Sequence, residues 1–273
     1  MIRSFQEIYS SISTHLPVPM AVVNPHNPHI LEAIEFAESN GWIHAVKVFH
    51  KDHSIAAEQV VQLVRNGEVK LLMKGDIPTD ILLKAVLNKK SGIRSERRLS
   101  HVAVVESPKY PRLMLCTDGG VNTILTRDIL SSIVQNALLL SRRLQNNCPN
   151  VAMLSLTEKT EIGSPESDLI REIIELFSTE NNVIIEGPIS LDVALSKECA
   201  ISKNLNSNIS GLTDIFIGQN ISTINSIVKS LLVLGGAKGG GIVLGAQVPV
   251  VLLSRADAME TKVNSIALGV ISL

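Results

Sequence analysis

Short apolar runs alternate along the chain with longer segments whose apolar residues recur at helical spacing. Apolar runs of about four to eight residues predict buried strands, and apolar positions three or four apart over about ten residues or more predict amphipathic helices. The predicted strands are Val18–Asn24, His44–Phe49, Val69–Met73, His101–Val105, Leu113–Thr117, Val151–Leu156, Asn182–Glu186, Asp214–Ile217 and Pro249–Ser254. The predicted helices are His29–Asn40, Ile55–Arg65, Thr79–Leu87, Arg127–Leu144, Pro165–Ser178, Leu191–Lys197, Ser222–Leu234 and Ala258–Gly269. This alternation is typical of βαβ units and indicates an α/β fold with a largely parallel sheet.

The composition supports an α/β protein and excludes several other classes. Apolar residues make up 45% of the 273 residues but aromatic residues only 3%, so the core must be mainly aliphatic, which suits strands covered by helices. The net charge of −1 gives no overall field that attracts nucleic acid or an anionic membrane. Three scattered cysteines indicate a reducing compartment, and no apolar stretch is long enough for a signal peptide or a membrane span. We therefore expect a cytoplasmic protein without a nucleic-acid or membrane partner.

The polar stretch LQNNCPN at residues 144–150 indicates a linker between two domains. We expect domain I to comprise residues 1–146 plus 246–273, and domain II to comprise residues 147–245. The last strand and helix would then return to the first domain.

Several predicted strands end in small or polar residues. These strand ends are Lys74-Gly75-Asp76, Thr117-Asp118-Gly119-Gly120, Glu186-Gly187-Pro188 and Ser254-Arg255. Ligands of parallel α/β sheets bind at the carboxyl ends of the strands, although ordinary strand-to-helix turns use the same residue types. Four such turns together favour a real binding cleft.

The C-terminal region holds two further candidates for chemistry. The segment LGGAKGGG (residues 234–241) could present consecutive N–H groups to a phosphate or a pantetheine arm, or it could be a helix C-cap followed by a turn. Ser254 beside Arg255 could polarise a carbonyl, stabilise a departing thiolate or bind phosphate. A surface arginine that caps a helix is the alternative for Arg255.

Six basic residues within fifteen form a local positive patch that suits a 3′-phosphate and a pyrophosphate, or else a solvated face. They are Lys84, Lys89, Lys90, Arg94, Arg97 and Arg98. The histidines His26 and His29, and His50 and His53, have HxxH spacing but lack a nearby carboxylate companion, so no metal site is expected.

Five collinear segments resemble the phosphate acetyltransferase/phosphate butyryltransferase family, and together they extend along nearly the whole chain. They are MKGDIPTDILLKAVLNKKSGIR (73–94), RRLSHVAVV (97–105), TDGGVN (117–122), EGPISLDVAL (186–195) and AKGGGIVLGAQVPVVLLSRAD (237–257). The SRAD ending and the KGDIPT turn are closer to the butyryl branch.

The resemblance implies two α/β domains with a central cleft, a fold like that of isocitrate and isopropylmalate dehydrogenases, and a homodimer. It also implies the reaction acyl-CoA + phosphate = acyl phosphate + CoA, with a short acyl group, acetyl or butyryl, and direct attack by phosphate in a ternary complex. Coenzyme A and phosphate are then substrates, and no permanently bound cofactor or metal is implied.

The resemblance also implies roles for individual residues. Ser254 and Arg255 would be catalytic: Ser254 would stabilise the leaving thiolate, and Arg255 would hold phosphate or the thioester carbonyl. The implied substrate-binding residues are Lys74, Gly75, Lys84, Arg94, Arg98, Ser100, Asp118, Gly119, Gly120, Asn122, Gly187, Pro188, Gly239, Gly240 and Gly241.

The chain departs from the family pattern at three places. Thr261 stands where the acetyl enzymes carry an acid, Lys84 stands where many relatives have Arg, and residues 218–221 (GQNI) replace a usual Pro-Asp-Leu. The general base is therefore not assigned. Two alternatives stay open: a non-catalytic relative that binds CoA or phosphate, and a metal- and nicotinamide-dependent dehydrogenase of the same fold, for which no acidic cluster was found.

Overall fold

The structure is a computed structural model, which describes residues 1–159, 163–252, 254 and 257–273. The chain forms two compact units: the terminal unit, residues 5–99 and 239–273, and the central unit, residues 1–4 and 100–238. The units divide after Leu99 and after Lys238. The domain boundaries predicted from the sequence lie after residues 146 and 245. The polar stretch at 144–150 connects a helix and a strand inside the central unit.

The terminal unit contains helices from both ends of the chain around one set of strands. Its elements are α1 (Phe5–Ile12), β1 (Val18–Val23), α2 (Pro28–Ser39), β2 (Ile43–Val48), α3 (His53–Arg65), β3 (Leu71–Lys74), α4 (Thr79–Val86), β9 (Lys238–Leu244), β10 (Val250–Val251) and α10 (Met259–Ile271). The strand order is β2-β1-β3-β10-β9, in which β9 is antiparallel to β10 and the other neighbours are parallel.

Helix α10 is the central helix of the terminal unit, and it packs against α1, α2, β3 and β10. Every residue from Lys262 to Ile271 is buried, including Asn264 and Ser265. Such an all-round burial is expected of a helix enclosed by other elements rather than of one that lies on the surface.

Strand β9 was not predicted, because its glycines have low strand propensity. Gly239 O accepts a hydrogen bond from Asn264 Nδ2 at 2.9 Å, and Gly241 N–H donates to Ser265 Oγ at 2.9 Å. A Cβ on Gly240 would lie 2.9 Å from the Cβ of Asn264, so a glycine is needed for α10 to approach the strand this closely.

The central unit continues the α/β pattern. Its elements are β4 (Ser100–Glu106), β5 (Leu113–Thr117), α5 (Arg127–Arg143), β6 (Asn150–Leu154), α6 (Pro165–Phe177), β7 (Ile184–Ile189), α7 (Leu191–Leu195), α8 (Lys197–Ser202), β8 (Ile215–Ile217) and α9 (Ile221–Val233). The strand order is β4-β5-β8-β6-β7, with β4 antiparallel to β5 and the other pairs parallel. Mixed strand pairing together with the alternating helices confirms the predicted α/β class.

The helices of the central unit begin where local capping chemistry favours it. Thr126 Oγ1 accepts from Ile129 N–H at the start of α5, and Asn220 Oδ1 accepts from Thr223 N–H at the start of α9. The core between strands and helices is aliphatic, with Phe216 on β8 as its large aromatic residue. Of the helices within the described ranges, none has the length and apolar character needed to cross a bilayer.

Candidate active site

The carboxyl ends of three parallel strands lie at one edge of the terminal unit. β1, β3 and β10 are adjacent, with Val23 opposite Lys74 and Val251 opposite Met73. Residues that follow these strands are therefore neighbours at the edge where open α/β sheets bind ligands. We call four residues at these strand ends, together with Lys262 in the first turn of α10, the strand-end cluster: Lys74, Asp76, Ser254, Asp257 and Lys262.

Lys74 is the last residue of β3, and it is buried, with 5% of its surface exposed. Its Nζ donates to the backbone oxygens of Gly75 at 3.1 Å and Ile77 at 3.2 Å. A buried ammonium is tolerated only when its N–H groups have acceptors, and the turn after β3 supplies two. The structure thus places this predicted binding residue at the strand ends as a fixed positive charge.

Gly75 permits the ends of β1 and β3 to lie close together. A Cβ at this position would lie 2.0 Å from Val23 O and 2.7 Å from Asn24 O, and both are backbone atoms that cannot rotate away. Glycine is required here by the backbone packing, whatever the residue contributes to ligand binding.

Asp76 orders the turn that follows β1. Its Oδ2 accepts hydrogen bonds from the N–H groups of His26 at 2.8 Å and Asn27 at 2.7 Å, and its own N–H donates to Asn24 O at 2.9 Å. A carboxylate in this place also stabilises the N-terminus of α2, which begins at Pro28. Asp76 therefore connects the ends of β1 and β3.

Ser254 lies after β10 in a turn that is closed by Asp257. The N–H of Ser254 donates to Asp257 Oδ2 at 2.7 Å, and the N–H of Asp257 donates back to Ser254 O at 3.2 Å. These two bonds hold the backbone of Ser254, while the residue itself is exposed. Arg255, the other predicted catalytic residue, lies outside the described residues.

Lys262 is a member of the cluster that the sequence analysis missed. It lies in the first turn of α10, is completely buried, and donates from Nζ to the backbone oxygen of Asp257. Burial lowers the pKa of its ammonium, and the carboxylates of Asp257 and Asp76 oppose that shift. The sequence could have revealed its burial, because Lys262 is followed by the mainly apolar run VNSIALGVI. A helix on the surface would instead carry polar residues along one face.

The predicted basic patch is not gathered into one buried site. Lys84 lies on α4 and pairs with Asp80 at 3.1 Å, with 78% of the lysine side chain exposed. Arg94 and Arg98 are also exposed. The backbone of Arg94 forms a bridge with Ala246, which attaches this segment to the loop between β9 and β10.

A second predicted group lies in the central unit, in the loop after β5. The carboxylate of Asp118 is buried and accepts from the N–H groups of Gly120 at 2.9 Å, Val121 at 3.1 Å and Asn122 at 3.0 Å. It accepts further bonds from His101 N–H at 3.2 Å and Asn122 Nδ2 at 2.6 Å. Asp118 therefore organises the loop through its backbone.

The two glycines of this loop differ in the space around them. A Cβ on Gly119 would lie 3.1 Å from Ile224 Cγ2, whereas one on Gly120 would meet its nearest neighbour, His101, at 3.8 Å. Gly119 O accepts from Asn225 Nδ2 at 3.1 Å, which ties the loop to α9.

The Asp118→Asn variant is expected to lower the free energy of unfolding by about 3 kcal/mol, since bonds to a charged acceptor contribute about 1.5–3 kcal/mol each and several are weakened together. Urea denaturation followed by circular dichroism measures the change. Asp128→Asn is the matched control: Asp128 is an exposed acid in the first turn of α5, worth about 0.3–1 kcal/mol. Equal losses in the two variants would contradict the organising role of Asp118.

Ser100 and the residues Gly187 and Pro188 also have structural partners in the central unit. Ser100 is fully buried in β4, and its Oγ accepts from Asn136 Nδ2 of α5 at 2.9 Å. Gly187 lies in β7, where a Cβ would come within 2.5 Å of the Met153 Cβ. Gly187 and Pro188 also line an open cavity of about 330 Å³ in the same unit.

Gly239, Gly240 and Gly241, which were predicted to bind substrate, lie inside β9, and β9 pairs with β10. The turn after α9 instead contains Gly235 and Gly236, of which Gly236 has φ +64°. That turn agrees with a helix C-cap at the start of LGGAKGGG (residues 234–241), one of the two alternatives for this segment.

In the part of the chain that the structure describes, no group of three or more His, Cys, Asp or Glu side chains is arranged to hold a metal ion. The strand-end cluster instead combines two buried ammonium groups, two carboxylates and an exposed serine. Since the two ammonium groups offset the two carboxylates, the formal charge of the cluster alone selects neither an anion nor a cation.

The fold and this edge define an α/β protein whose strand ends carry the candidate site. A putative 4-hydroxythreonine-4-phosphate dehydrogenase from Salmonella typhimurium superimposes with a TM-score of 0.53, covers 98% of this chain and 87% of its own, and is 12% identical. At that identity the likeness shows the fold alone.

Two further comparisons are much closer. A crystal structure of a branched-chain phosphotransacylase from Enterococcus faecalis V583 has a TM-score of 0.83, is 31% identical, and is matched over 93% of this chain and 98% of its own. Phosphate butyryltransferase from Clostridium acetobutylicum is 34% identical, with 98% of each chain covered.

Residues 32–270 match the family described as phosphate acetyl/butaryl transferase, and the chain belongs to this family. The predicted family and the predicted phosphate acyltransferase activity are thereby confirmed, and the chain is a transferase. The dehydrogenase and non-catalytic alternatives are not favoured by these relatives.

Proposed function

We propose that this enzyme transfers a short acyl group between coenzyme A and phosphate, with the strand-end cluster as the reacting site. The observation that carries the proposal is the position of Ser254, which is exposed and whose backbone is held by Asp257. It lies at the same edge as the buried Lys74, the last residue of β3. The family match over residues 32–270 supports the same reaction.

The chemistry requires few groups from the protein. A phosphate oxygen attacks the thioester carbonyl carbon, a C–O bond forms, and the C–S bond breaks as the CoA thiolate departs. The proton that the phosphate loses is taken up by this thiolate, which gives acyl phosphate and CoA. No acyl-enzyme is formed in this scheme, so the protein acts by holding both substrates and by neutralising the developing charge.

The roles proposed for Ser254 and Arg255 are those that the family resemblance implies, and the role of Lys74 follows from its place at the end of β3. The hydroxyl of Ser254 stabilises the leaving thiolate, and the guanidinium of Arg255 holds phosphate or the thioester carbonyl. The fixed ammonium of Lys74 adds positive charge at the same edge. Coenzyme A and phosphate are substrates, and no permanent cofactor takes part.

We further propose a four-carbon or branched acyl group in preference to acetyl. The support is that the Clostridium acetobutylicum relative is named a phosphate butyryltransferase and the Enterococcus faecalis structure a branched-chain phosphotransacylase.

We also propose a homodimer in the cytoplasm, where acyl-CoA and phosphate are available. Light scattering after gel filtration would test the dimer.

A series of acyl-CoA substrates tests the reaction and its chain length together. Phosphate-dependent release of CoA is measured with acetyl-, propionyl-, butyryl- and isobutyryl-CoA. We expect the highest kcat/KM for the four-carbon substrates, because each methylene changes discrimination by about 10- to 200-fold. Release of CoA from none of them in the presence of phosphate would overturn the proposal, and release that is equal without phosphate would indicate a hydrolase.

A further inference from the structure

Lys262 occupies a position where a lysine is energetically unfavourable. The residue is completely buried, which removes water from its ammonium group. It also lies in the first turn of α10, where the helix dipole disfavours a cation. An apolar side chain would fill this place at lower cost, so the charge itself needs an explanation.

The contacts of Lys262 lead to Ser254. Its Nζ donates to the backbone oxygen of Asp257, and the carboxylate of Asp257 accepts the backbone N–H of Ser254 at 2.7 Å. The second carboxylate that acts on Lys262 is that of Asp76, which holds the turn after β1. One buried cation therefore donates to the turn that holds Ser254 and interacts electrostatically with both carboxylates of the strand-end cluster.

We infer that Lys262 is a positioning residue for the acyl transfer, and that it fixes Ser254 through the Asp257 turn. This inference rests on the proposed function, in which the hydroxyl of Ser254 meets the leaving thiolate. Lys262 donates to the backbone of the turn that holds Ser254, so its inferred part is to hold that turn and not to meet the reacting atoms. Its loss should therefore lower kcat and leave the KM for butyryl-CoA nearly unchanged.

A double-mutant cycle with Ser254 tests the inference. Lys262→Met keeps most of the side-chain volume and removes the charge, and we expect it to lower kcat by about 10- to 100-fold, as a misplaced reacting group does. In the Ser254→Ala background the same change should lower kcat little further, because the group that Lys262 positions is already absent. A general effect on folding would instead reduce kcat by the same factor in both backgrounds.

The control is Lys70→Met, which alters an exposed lysine just before β3 in the same unit and should leave kcat unchanged in both backgrounds. If Lys262→Met does not fold, Asp257→Asn is measured in the same cycle, because it weakens the hydrogen bond between the Asp257 side chain and the backbone N–H of Ser254. Losses that persist undiminished in the Ser254→Ala background overturn the inference. A wild-type enzyme that releases no CoA from butyryl-CoA and phosphate would overturn the proposed function instead, so the two failures are distinguishable.

Discussion

Replacing Ser254 by alanine is expected to lower kcat for butyryl-CoA and phosphate by about 10²- to 10³-fold, the usual cost of removing one preorganised donor from a reacting group. The physical reason is that the thiolate charge develops only as the C–S bond breaks, so the hydroxyl stabilises the transition state more than the bound substrate. Steady-state release of CoA measures kcat and KM separately, and the KM for butyryl-CoA should change far less than kcat.

Ser10→Ala is a suitable control for this experiment. Ser10 is an exposed serine of α1, and its Oγ donates to Gln6 O within the helix. Its loss should leave both constants unchanged. A Ser254→Ala enzyme with normal kcat would exclude a catalytic role for this hydroxyl, and a rise in KM alone would assign it to substrate binding.

The Gly75→Ala variant is expected to lower the free energy of unfolding by about 3 kcal/mol, at the upper end of the usual cost of overpacking. The added methyl group would meet the backbone oxygens of Val23 and Asn24 at 2.0 and 2.7 Å, so β1 and β3 must separate. Because Lys74 and Asp76 flank this position, activity should fall as well. Urea denaturation gives the stability change, and the CoA-release assay gives the activity.

Gly120→Ala provides the comparison for Gly75→Ala. The methyl group at position 120 would meet its nearest neighbour at 3.8 Å, an ordinary van der Waals distance. We therefore expect little loss of stability in this variant. If both variants lost the same amount of stability, the close approach of β1 and β3 could not be the cause.

Much of the α/β framework could be predicted from apolar periodicity. Leu113–Thr117 was predicted with its observed bounds, and most other strands and helices differ from prediction by a few residues. The helix α1 escaped prediction because it has only two turns, and α8 because it follows α7 after one residue. Periodicity is a weak signal in elements this short.

Strand β9 shows a different limit of sequence reasoning. Its three consecutive glycines suggested a ligand-binding segment or a helix cap followed by a turn, yet they are buried in a strand against which α10 lies. The need for glycine at Gly240 arises from Asn264, which is far away in sequence. Local propensity cannot reveal a requirement that is set by a distant helix.

The residues at the strand ends of the candidate site could be predicted from the sequence, but the contacts of the buried cation Lys262 could not. Ser254, Lys74 and Gly75 were singled out because they follow apolar runs, and the structure places them at one edge. Lys262 was missed because its partner is a backbone oxygen, which has no signature in the sequence. Lys84 was predicted from the basic patch and from the family resemblance, and the structure places it exposed on α4, paired with Asp80.

The glycines of β9 have a consequence for how freely this enzyme can vary. They determine how deeply α10 is seated, and α10 begins directly after the turn that holds Ser254. A larger residue at Gly240 would displace that helix and, with it, the serine. Selection for turnover should therefore restrict Gly240 as strongly as it restricts Ser254, although a glycine has no side chain to take part in the reaction.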